Sequence, residues 1–278
     1  MDLLPTKLKE KISGPIELNT QVTGIHKQEG DNGNINIEIS RNNGSPTVEA
    51  CDYVVCTLPF TILRRINITP AFSSEKMQAI RNLGYSSSVK VLLHCSQRFW
   101  ETKYHIAGGA SQTDQLIRAT YYPSDNAEEK EIISPSQKYS TLYSGQKTTI
   151  FIPKSDEVSK GPGVLLGSYT WGHDARIMGG LNDEERKNVV IRTMSRFHPE
   201  IAKNGMVDDH ASMFWDTYRW SGGSFSFLFP GQQTTLYKYA IQPEGNIHFA
   251  GEHCSLYNAW IQGALVSALR AVEEVVAK

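Results

Sequence analysis

The stretch that decides the fold is Gly245–Gly263, which reads GNIHFAGEHCSLYNAWIQG. A short apolar run stops at Gly251-Glu252 and a helical pattern begins at Trp260, so the stretch predicts a strand, a turn and a helix. A helix N-terminus carries unsatisfied N–H donors and a partial positive charge, which suits an anionic or electron-rich ligand. The Glu252 carboxylate suits a hydroxyl group that needs an acceptor. The alternative is an ordinary strand-to-helix turn capped by a polar residue.

The composition is that of an ordinary globular protein. The 278 residues, 40% of them hydrophobic, can bury the core of one large or two ordinary domains. A balance of 28 basic and 29 acidic residues gives no indication of nucleic-acid or membrane-surface binding. Because the chain shows neither a membrane-span pattern nor a signal peptide, we expect a cytoplasmic protein. The four cysteines lack metal-ligand spacing, which predicts buried thiols in a reducing compartment and no metal site.

Strand and helix patterns occur along the whole chain. Residues 16–26 and 34–40 alternate apolar and polar side chains and predict a hairpin with its turn at 30–33. The apolar run 52–59 predicts a strand that is buried on both faces. Ser73 or Ser74, and later Asn182, are positioned to cap helices. The predicted fold class is therefore α/β, with a mixed α+β character.

The strand Ser88–Cys95 is informative because its two faces are both largely apolar. Alternation places Val89, Val91 and Leu93 on one face, and Lys90, Leu92 and His94 on the other. Lys90 either reaches solvent from the strand or is buried, in which case its pKa is lowered.

Two further segments each allow two interpretations. Residues 124–163 are polar and rich in breakers, with one predicted strand at Thr148–Ile152, and form either a lid or a tolerated insertion. Residues 214–230 are rich in aromatic side chains around a Ser-Gly-Gly-Ser turn at 221–224. Such aromatic residues either pack a core or form the walls of a site for a flat ligand.

Several stretches, in matching order, resemble the flavin-containing amine oxidase family, and most closely its L-amino-acid oxidase branch. Residues 249–252 (FAGE) and 259–264 (AWIQGA) resemble the C-terminal flavin-binding signature of that family. Residues 18–25 resemble the strand whose backbone meets the adenine, at Val22 in this chain. The resemblance thus implies contacts to FAD from Val22, Gly251, Glu252, Ala259, Trp260, Ile261 and Ala264.

The same resemblance implies catalytic roles. Residues 88–90 with 98–100 resemble the segment whose lysine, here Lys90, reaches the flavin N5 through a water. Residues 215 and 221–225 resemble the loop beside the flavin, with Trp215 near it and Phe225 and Trp260 as the aromatic walls of the substrate site. Ser224 stands where monoamine oxidases carry a cysteine bound to the cofactor, which implies noncovalent FAD.

Residues 120–124 resemble the stretch that includes a tyrosine contacting the substrate carboxylate. Either Tyr121 or Tyr122 matches this tyrosine. Relative to the family pattern, residues 124–163 are an insertion.

The resemblance implies a domain organisation. Residues 1–60 and 244–278 would belong to an FAD-binding domain of the glutathione-reductase/hydroxylase type, and residues 61–243 to a substrate-binding domain with a mixed β-sheet and flanking helices. The Gly-rich FAD fingerprint GxGxxG does not occur in the chain, so this FAD domain is incomplete. We expect the chain to correspond to the C-terminal portion of the family.

The implied activity is the oxidative deamination of an L-amino acid with oxygen, giving a 2-oxo acid, ammonia and hydrogen peroxide. We expect the isolated chain to be inactive, and its candidate partners are the missing N-terminal portion or a second copy of the chain. Two alternatives remain: a fragment of an amine or polyamine oxidase, and a flavin-free, non-catalytic subunit or interaction module.

Overall fold

The computed structural model describes residues 3–27, 34–133 and 147–277. The chain forms two compact units. We call residues 1–84 and 226–278 the terminal unit, and residues 85–225 the central unit. The structure contains several sheets flanked by helices, which confirms the prediction of a mixed α/β fold.

The helices and strands follow one another along the chain, and two short strands lie where it passes between the two units. In order they are α1 (Leu3–Lys9), β1 (Thr20–Lys27), β2 (Ile35–Arg41), β3 (Thr47–Cys51), β4 (Val54–Cys56), α2 (Phe60–Leu63), β5 (Asn67–Thr69), α3 (Ser74–Asn82), β6 (Gly84–Ser86), β7 (Ser88–Cys95), α4 (Phe99–Thr102), β8 (Ala110–Gln112), β9 (Ala119–Tyr121), β10 (Ala127–Ile133), β11 (Lys147–Pro153), α5 (Asp156–Lys160), β12 (Gly163–Trp171), α6 (Gly172–Gly179), α7 (Asp183–Met194), β13 (Val207–Phe214), β14 (Phe225–Phe227), α8 (Gln232–Thr235), α9 (Tyr237–Ile241), β15 (Ile247–Phe249) and α10 (Ile261–Val276).

The terminal unit contains a four-stranded sheet in the order β3-β2-β1-β5. The predicted hairpin is confirmed, because β1 and β2 pair in antiparallel register from Thr20 opposite Arg41 to Lys27 opposite Ile35. The predicted turn at 30–33 lies outside the described residues. The short strand β5 runs parallel to β1.

A second, two-stranded sheet in this unit pairs β4 with β15 in parallel, with Val54 opposite Ile247 and Cys56 opposite Phe249. The sequence predicted a strand over 52–59, and the observed strand β4 is shorter (Val54–Cys56). The prediction that this strand is buried on both faces is wrong. Val55 is 41% exposed, and Tyr53, just before β4, is exposed to the same extent. The partner strand β15 is covered on both faces, as parallel strands usually are, because Ile247, His248 and Phe249 are all fully buried.

The central unit is built on a five-stranded antiparallel sheet in the order β13-β7-β12-β9-β8. The predicted faces of β7 are confirmed, because Val89, Val91 and Leu93 are fully buried whereas Lys90, Leu92 and His94 are half-buried or exposed. The predicted helix after Asn182 is also confirmed and begins with a capping box between Asn182 and Glu185. One face of the sheet therefore covers the core, and the other face stays open.

The unit boundaries differ from the predicted domain boundaries at 60/61 and 243/244. Residues 61–84 and 226–243 lie in the terminal unit, since β5 pairs with β1 and α3 packs against α9. Sequence periodicity does not show such long-range pairings. The assignment of the two units to FAD and substrate stays a prediction.

In its described residues, the segment 124–163 contains two strands and a helix, whereas the sequence predicted one strand. The predicted strand Thr148–Ile152 lies within β11, which pairs in antiparallel register with β10, and α5 follows. Hydrogen bonds to the buried side chains of Glu101 and Arg98 hold both ends of the segment. The Glu101 Oε2 atom accepts from Asn126 Nδ2 at 2.7 Å and from Ser159 Oγ at 2.8 Å. The Arg98 guanidinium makes two bonds of 2.7 Å to Asp125.

None of the helices in the described ranges has the length and apolarity that crossing a membrane requires.

Candidate functional site

In the terminal unit, the loop between β15 and α10 is organised by the Glu252 carboxylate. The Glu252 Oε1 atom accepts from Ser226 N at 2.9 Å, and Oε2 accepts from Ser226 Oγ at 2.9 Å and from Ala259 N at 2.7 Å. The Asn258 amide donates to Ser226 Oγ at 2.7 Å. Hydrogen bonds to an ionised carboxylate are the strong ones, so Glu252 fixes both ends of the loop. Its predicted role toward a ligand hydroxyl stays a prediction.

Two glycines let this loop lie against α10. Gly251 has a φ of 129°, a region that only glycine adopts readily, and Ser267 Oγ of α10 accepts from its N–H at 2.9 Å. A Cβ atom at Gly263 would lie 2.3 Å from Ser255 Oγ and 2.3 Å from the carbonyl oxygen of Tyr257. The sequence could not show this close approach of backbones, because it depends on where the loop folds back.

The N-terminus of α10 is open. No side chain caps it in the described part of the chain, and the N–H groups of Ile261 and Gln262 bond no described residue. The preceding residue, Trp260, is 72% exposed although it is a large aromatic side chain. Unsatisfied donors at the positive end of a helix favour an electron-rich or anionic group. The structure thus brings together Gly251, Glu252, Ala259, Trp260, Ile261 and Ala264 on one loop and one helix end.

The terminal unit also holds Val22, on β1. A register shift between Val22 and Gly24 interrupts the pairing of β1 with β2, and the ladder to β5 covers Gly24 to His26. Val22 therefore has no partner on β5. The edge of its backbone that faces away from β2 is not paired with any described strand. The predicted contact with adenine is compatible with this edge and stays a prediction.

In the central unit, the open face of the sheet collects aromatic side chains around Lys90. The Lys90 Nζ atom lies 4.7 Å from the ring centroid of Tyr169, its register partner on β12. The Tyr169 ring lies 6.1 Å from that of Tyr121 and 4.3 Å from that of Trp171. The sequence allowed Lys90 either to reach solvent or to be buried. Lys90 is half-buried, and it reaches the surface of the open face. Tyr169 and Trp171 were not predicted, although the alternation in β12 puts them on one face.

The structure distinguishes the two candidate tyrosines. Tyr121 is 38% exposed and lies on the open face, whereas Tyr122 is 6% exposed and points into the core. The Tyr122 hydroxyl is bonded to His198 Nε2 at 2.6 Å and to Ser111 Oγ at 2.7 Å. Burial raises the pKa of Tyr122 and lowers the pKa of His198. Of the two hydroxyls, that of Tyr121 is the accessible one.

Tyr121 also lines a cleft of about 330 Å³ within the central unit. Trp171 forms another wall of this cleft, and an ion pair of 2.7 Å between Arg118 Nε and Asp174 Oδ2 lies at its edge. Arg118 has a φ of 53°, which is unusual for a residue other than glycine. The sequence gave no indication of this ion pair, because 56 residues separate its two members.

The loop with Trp215 and the Ser-Gly-Gly-Ser turn belongs to the central unit up to Phe225. The Trp215 carbonyl oxygen accepts from Gly223 N at 3.1 Å, and the Trp215 ring packs edge-on against Tyr218 at 5.7 Å. The Ser224 hydroxyl donates to the Ser86 carbonyl at 2.6 Å. The predicted pairing of Phe225 with Trp260 joins residues of different units and stays a prediction.

The described cysteines are all free thiols, and the described residues contain no group of three His, Cys, Asp or Glu side chains that could hold a metal ion.

A family comparison identifies the family of the chain. The model for flavin-containing amine oxidoreductases matches residues 1–276. The chain belongs to this family. The assignment confirms the resemblance found in the sequence, and it implies that complete members of the family carry FAD.

Individual relatives point to amino-acid oxidases. The chain is 34% identical over 278 residues to the flavin-dependent L-tryptophan oxidase RebO of Lentzea aerocolonigenes, covering 99% of this chain and 51% of RebO. It is 30% identical to an L-amino-acid oxidase of Siganus canaliculatus, covering 99% of this chain and 46% of the relative. The chain therefore spans about half the length of the curated relatives it matches.

A solved structure shows the same fold. A putrescine oxidase with bound putrescine superposes with a TM-score of 0.71 at 15% identity, covering all of this chain and 53% of the other. At that identity the similarity concerns the fold and does not extend to the substrate.

The terminal unit fits the part of a flavin site that this family implies. The open N-terminus of α10 offers N–H donors, Trp260 offers an exposed aromatic face, and the bonds of Glu252 fix the loop between them. These features do not supply a Gly-rich phosphate-binding turn, and no GxGxxG occurs in the sequence.

Proposed function

We propose that this chain is the C-terminal portion of an FAD-dependent L-amino-acid oxidase. The observation that carries the proposal is the open N-terminus of α10, with unsatisfied N–H groups beside an exposed Trp260, in a member of a flavin family. The terminal unit would then be the partial FAD-binding domain of the glutathione-reductase/hydroxylase type, and the central unit the substrate-binding domain. The complete enzyme would convert an L-amino acid, oxygen and water into a 2-oxo acid, ammonia and hydrogen peroxide.

An L-amino acid is preferred to a simple amine as the substrate for two reasons. RebO and the Siganus oxidase are 34% and 30% identical over almost the whole chain, whereas the putrescine oxidase is 15% identical. In addition, the accessible hydroxyl of Tyr121 can donate a hydrogen bond to a carboxylate, which an amine substrate lacks. The cleft beside Tyr121 would receive part of the substrate.

Bound FAD would supply the hydride acceptor and the reaction with oxygen. In the terminal unit, the N–H groups of Ile261 and Gln262 and the dipole of the 16-residue helix α10 would stabilise negative charge that develops on the cofactor. Ser224 has no thiol, and its hydroxyl already bonds the Ser86 carbonyl, so we propose noncovalent binding of FAD.

In the central unit, we propose that Lys90 holds a water by hydrogen bonding from its ammonium group. The Tyr169 ring beneath Nζ would keep the side chain in place through a cation–π contact, which leaves the other N–H groups for the water. Tyr121 would orient the substrate through its carboxylate. Such orientation by fixed groups lowers the barrier by placing the reacting atoms before the reaction begins.

We propose further that the isolated chain is inactive until a polypeptide corresponding to the unmatched half of a complete family member is supplied. The test is a peroxide assay on the protein purified with FAD and its complementary half. L-amino acids should yield peroxide, whereas D-amino acids, putrescine and cyclohexylamine should not. Peroxide from amines alone would identify an amine oxidase. A complex that never retains flavin would instead indicate a non-catalytic module.

A further inference from the structure

The strands β10 and β11 form a sheet of their own in the central unit. We call this two-stranded sheet (Ala127–Ile133 and Lys147–Pro153) the hairpin arm, and it pairs with no other strand of the described ranges. It lies within the segment 124–163, which the resemblance predicts to be an insertion relative to the family. Isolated two-stranded sheets are marginally stable in water, and further strands stabilise them. The hairpin arm would therefore gain stability from a partner that adds strands.

Hydrogen bonds fix the base of the hairpin arm. Asn126, directly before β10, is 5% exposed and donates from Nδ2 to Glu101 Oε2 at 2.7 Å. Its carbonyl oxygen accepts from the N–H of Lys154, directly after β11, at 2.8 Å. Because both strands are held in one register before a partner binds, less conformational freedom is lost on association.

The bond between Lys154 and Asn126 also determines which main-chain groups point away from β10. In an antiparallel pair of strands, hydrogen-bonded and non-hydrogen-bonded residue pairs alternate. Since Lys154 and Asn126 are a hydrogen-bonded pair, Ile150 directs its N–H and C=O groups toward β10. The N–H and C=O groups of Thr149 and Phe151 then point outward, and they bond no described residue.

The two strands of the hairpin arm differ in charge. β10 reads AEEKEII and carries charged residues at all four positions 128–131. β11 reads KTTIFIP and carries no charged residue after its first position. Charged side chains protect edge strands from association, whereas β-branched and aromatic residues favour strand pairing. The outer edge of β11 is unprotected in this sense, and Phe151 is 50% exposed.

β11 is also complementary to itself. A two-fold axis at Ile150 would place a second β11 antiparallel to the first, with Thr149 of each copy opposite Phe151 of the other. The outward-pointing groups of these two residues would then form hydrogen-bonded pairs. Each such pair joins a β-branched residue to an aromatic one, which stabilises a sheet. The same operation on β10 would place Glu129 opposite Glu131, and like charges directly opposite each other are destabilising.

We propose that the outer edge of β11 binds the same edge of a second copy of this chain. The two hairpin arms would form one sheet of four strands in the order β10-β11-β11-β10 across the two-fold axis. Main-chain hydrogen bonds and few side chains would make up this interface, so it is small and the dimer should form reversibly. The proposal requires neither flavin nor activity, and its failure would leave the proposed function untouched.

The first test measures self-association of the full chain by sedimentation velocity over a range of concentrations. The variant is Thr149→Pro. Because the Thr149 N–H points outward, proline removes a donor from the outer edge and leaves the hydrogen bonds between β10 and β11 in place. The matched control is Thr149→Val, which keeps both the N–H and the branched shape. Circular dichroism checks that both variants fold like the unmodified chain.

The second test places a cysteine on the two-fold axis. Ile150 would face Ile150 of the other copy in a non-hydrogen-bonded pair, in which the Cα atoms are about 4.5 Å apart and within the range of a disulfide. Ile150→Cys is exposed to oxidised glutathione, and the covalent dimer is measured by non-reducing electrophoresis. The control Ile152→Cys lies on the same face of β11. Its two copies would be about 13 Å apart, since residue 152 would face residue 148 of the other copy.

We expect a reversible dimer of the unmodified chain and of Thr149→Val. Thr149→Pro should associate about tenfold more weakly or worse, because one hydrogen bond is lost from each copy. Ile150→Cys should form the covalent dimer faster than Ile152→Cys, and this comparison decides if Thr149→Pro does not fold. A chain that stays monomeric at its highest soluble concentration, equal association of the proline and valine variants, or equal cross-linking at positions 150 and 152 would overturn the proposal.

Discussion

Replacing Lys76 by methionine should remove a pH-dependent part of the stability of the terminal unit. Lys76 is 1% exposed, and its Nζ atom donates to the Ala240 carbonyl at 2.9 Å and lies 3.6 Å from the Phe249 ring centroid. Burial lowers the pKa of this amine from 10.5 to about 8. Because the unfolded chain binds the proton more tightly than the folded chain, stability from this group rises as pH increases from about 8 to 10.5.

The size of the effect follows from the two pKa values. At 1.36 kcal/mol per pKa unit, the protonated amine costs the folded state about 3 kcal/mol at neutral pH, of which about 2 kcal/mol is regained by pH 9.5. The unmodified chain alone would not reveal this gain. Burial raises the pKa of the Cys254 thiol to about 12, so this thiol makes the folded state less stable as pH rises above 9.

The informative quantity is therefore the difference between the unmodified chain and Lys76→Met. Urea denaturation at pH 7, 8, 9 and 9.5 would measure it, with circular dichroism as the readout. The control Ile80→Met introduces the same side chain at another buried position of α3 and carries no titrating group. We expect the unmodified chain to gain about 2 kcal/mol relative to Lys76→Met between pH 7 and 9.5, and nothing relative to Ile80→Met. A difference that stays constant over this range would refute the reasoning.

Three further predictions concern the loop and the tyrosines. Gly263→Ala should destabilise the terminal unit by more than about 2 kcal/mol in urea denaturation, because its Cβ atom would collide with the Tyr257 carbonyl. Burial lowers the pKa of His253 to about 4, so the chain should lose about 2.5 kcal/mol more stability than His253→Phe as pH falls from 6.5 to 4; equal acid sensitivity would contradict this. In the assembled enzyme, Tyr121→Phe should raise KM for L-amino acids about tenfold, while Tyr122→Phe should mainly lower Tm; the reverse outcome would exchange their roles.

Local patterns predicted much of the secondary structure. The alternation in Ser88–Cys95 gave the correct faces of β7, because one of those faces covers a core and burial enforces the pattern. The cap at Asn182 gave the start of α7, since capping is a local interaction. Lys76 shows the limit of such patterns. A lysine in an amphipathic helix is normally solvated, but here α9 and the Phe249 ring of β15 enclose it.

The sequence offered candidate residues for the site but not their geometry. The segments around Lys90, Trp215 and Gly251 could be matched to a family because their residue types are unusual in combination. The partners that hold them come from elsewhere in the chain: Ser226 bonds Glu252 from 26 residues away, and Tyr169 faces Lys90 from the neighbouring strand β12. Tyr121 and Tyr122 were indistinguishable in sequence, and the structure separates them because Tyr121, the last residue of β9, is exposed whereas Tyr122, just beyond the strand, is buried in the core.

The most direct test of the central claim is the response of the visible spectrum to substrate. The protein is purified together with the unmatched half of a complete family member and saturated with FAD. It should then show an oxidised-flavin band at about 450 nm. Under anaerobic conditions, adding an L-amino acid should bleach this band, and readmitting oxygen should restore it with release of peroxide. A band that L-amino acids leave unchanged while putrescine bleaches it, or a protein that retains no flavin, would contradict the account.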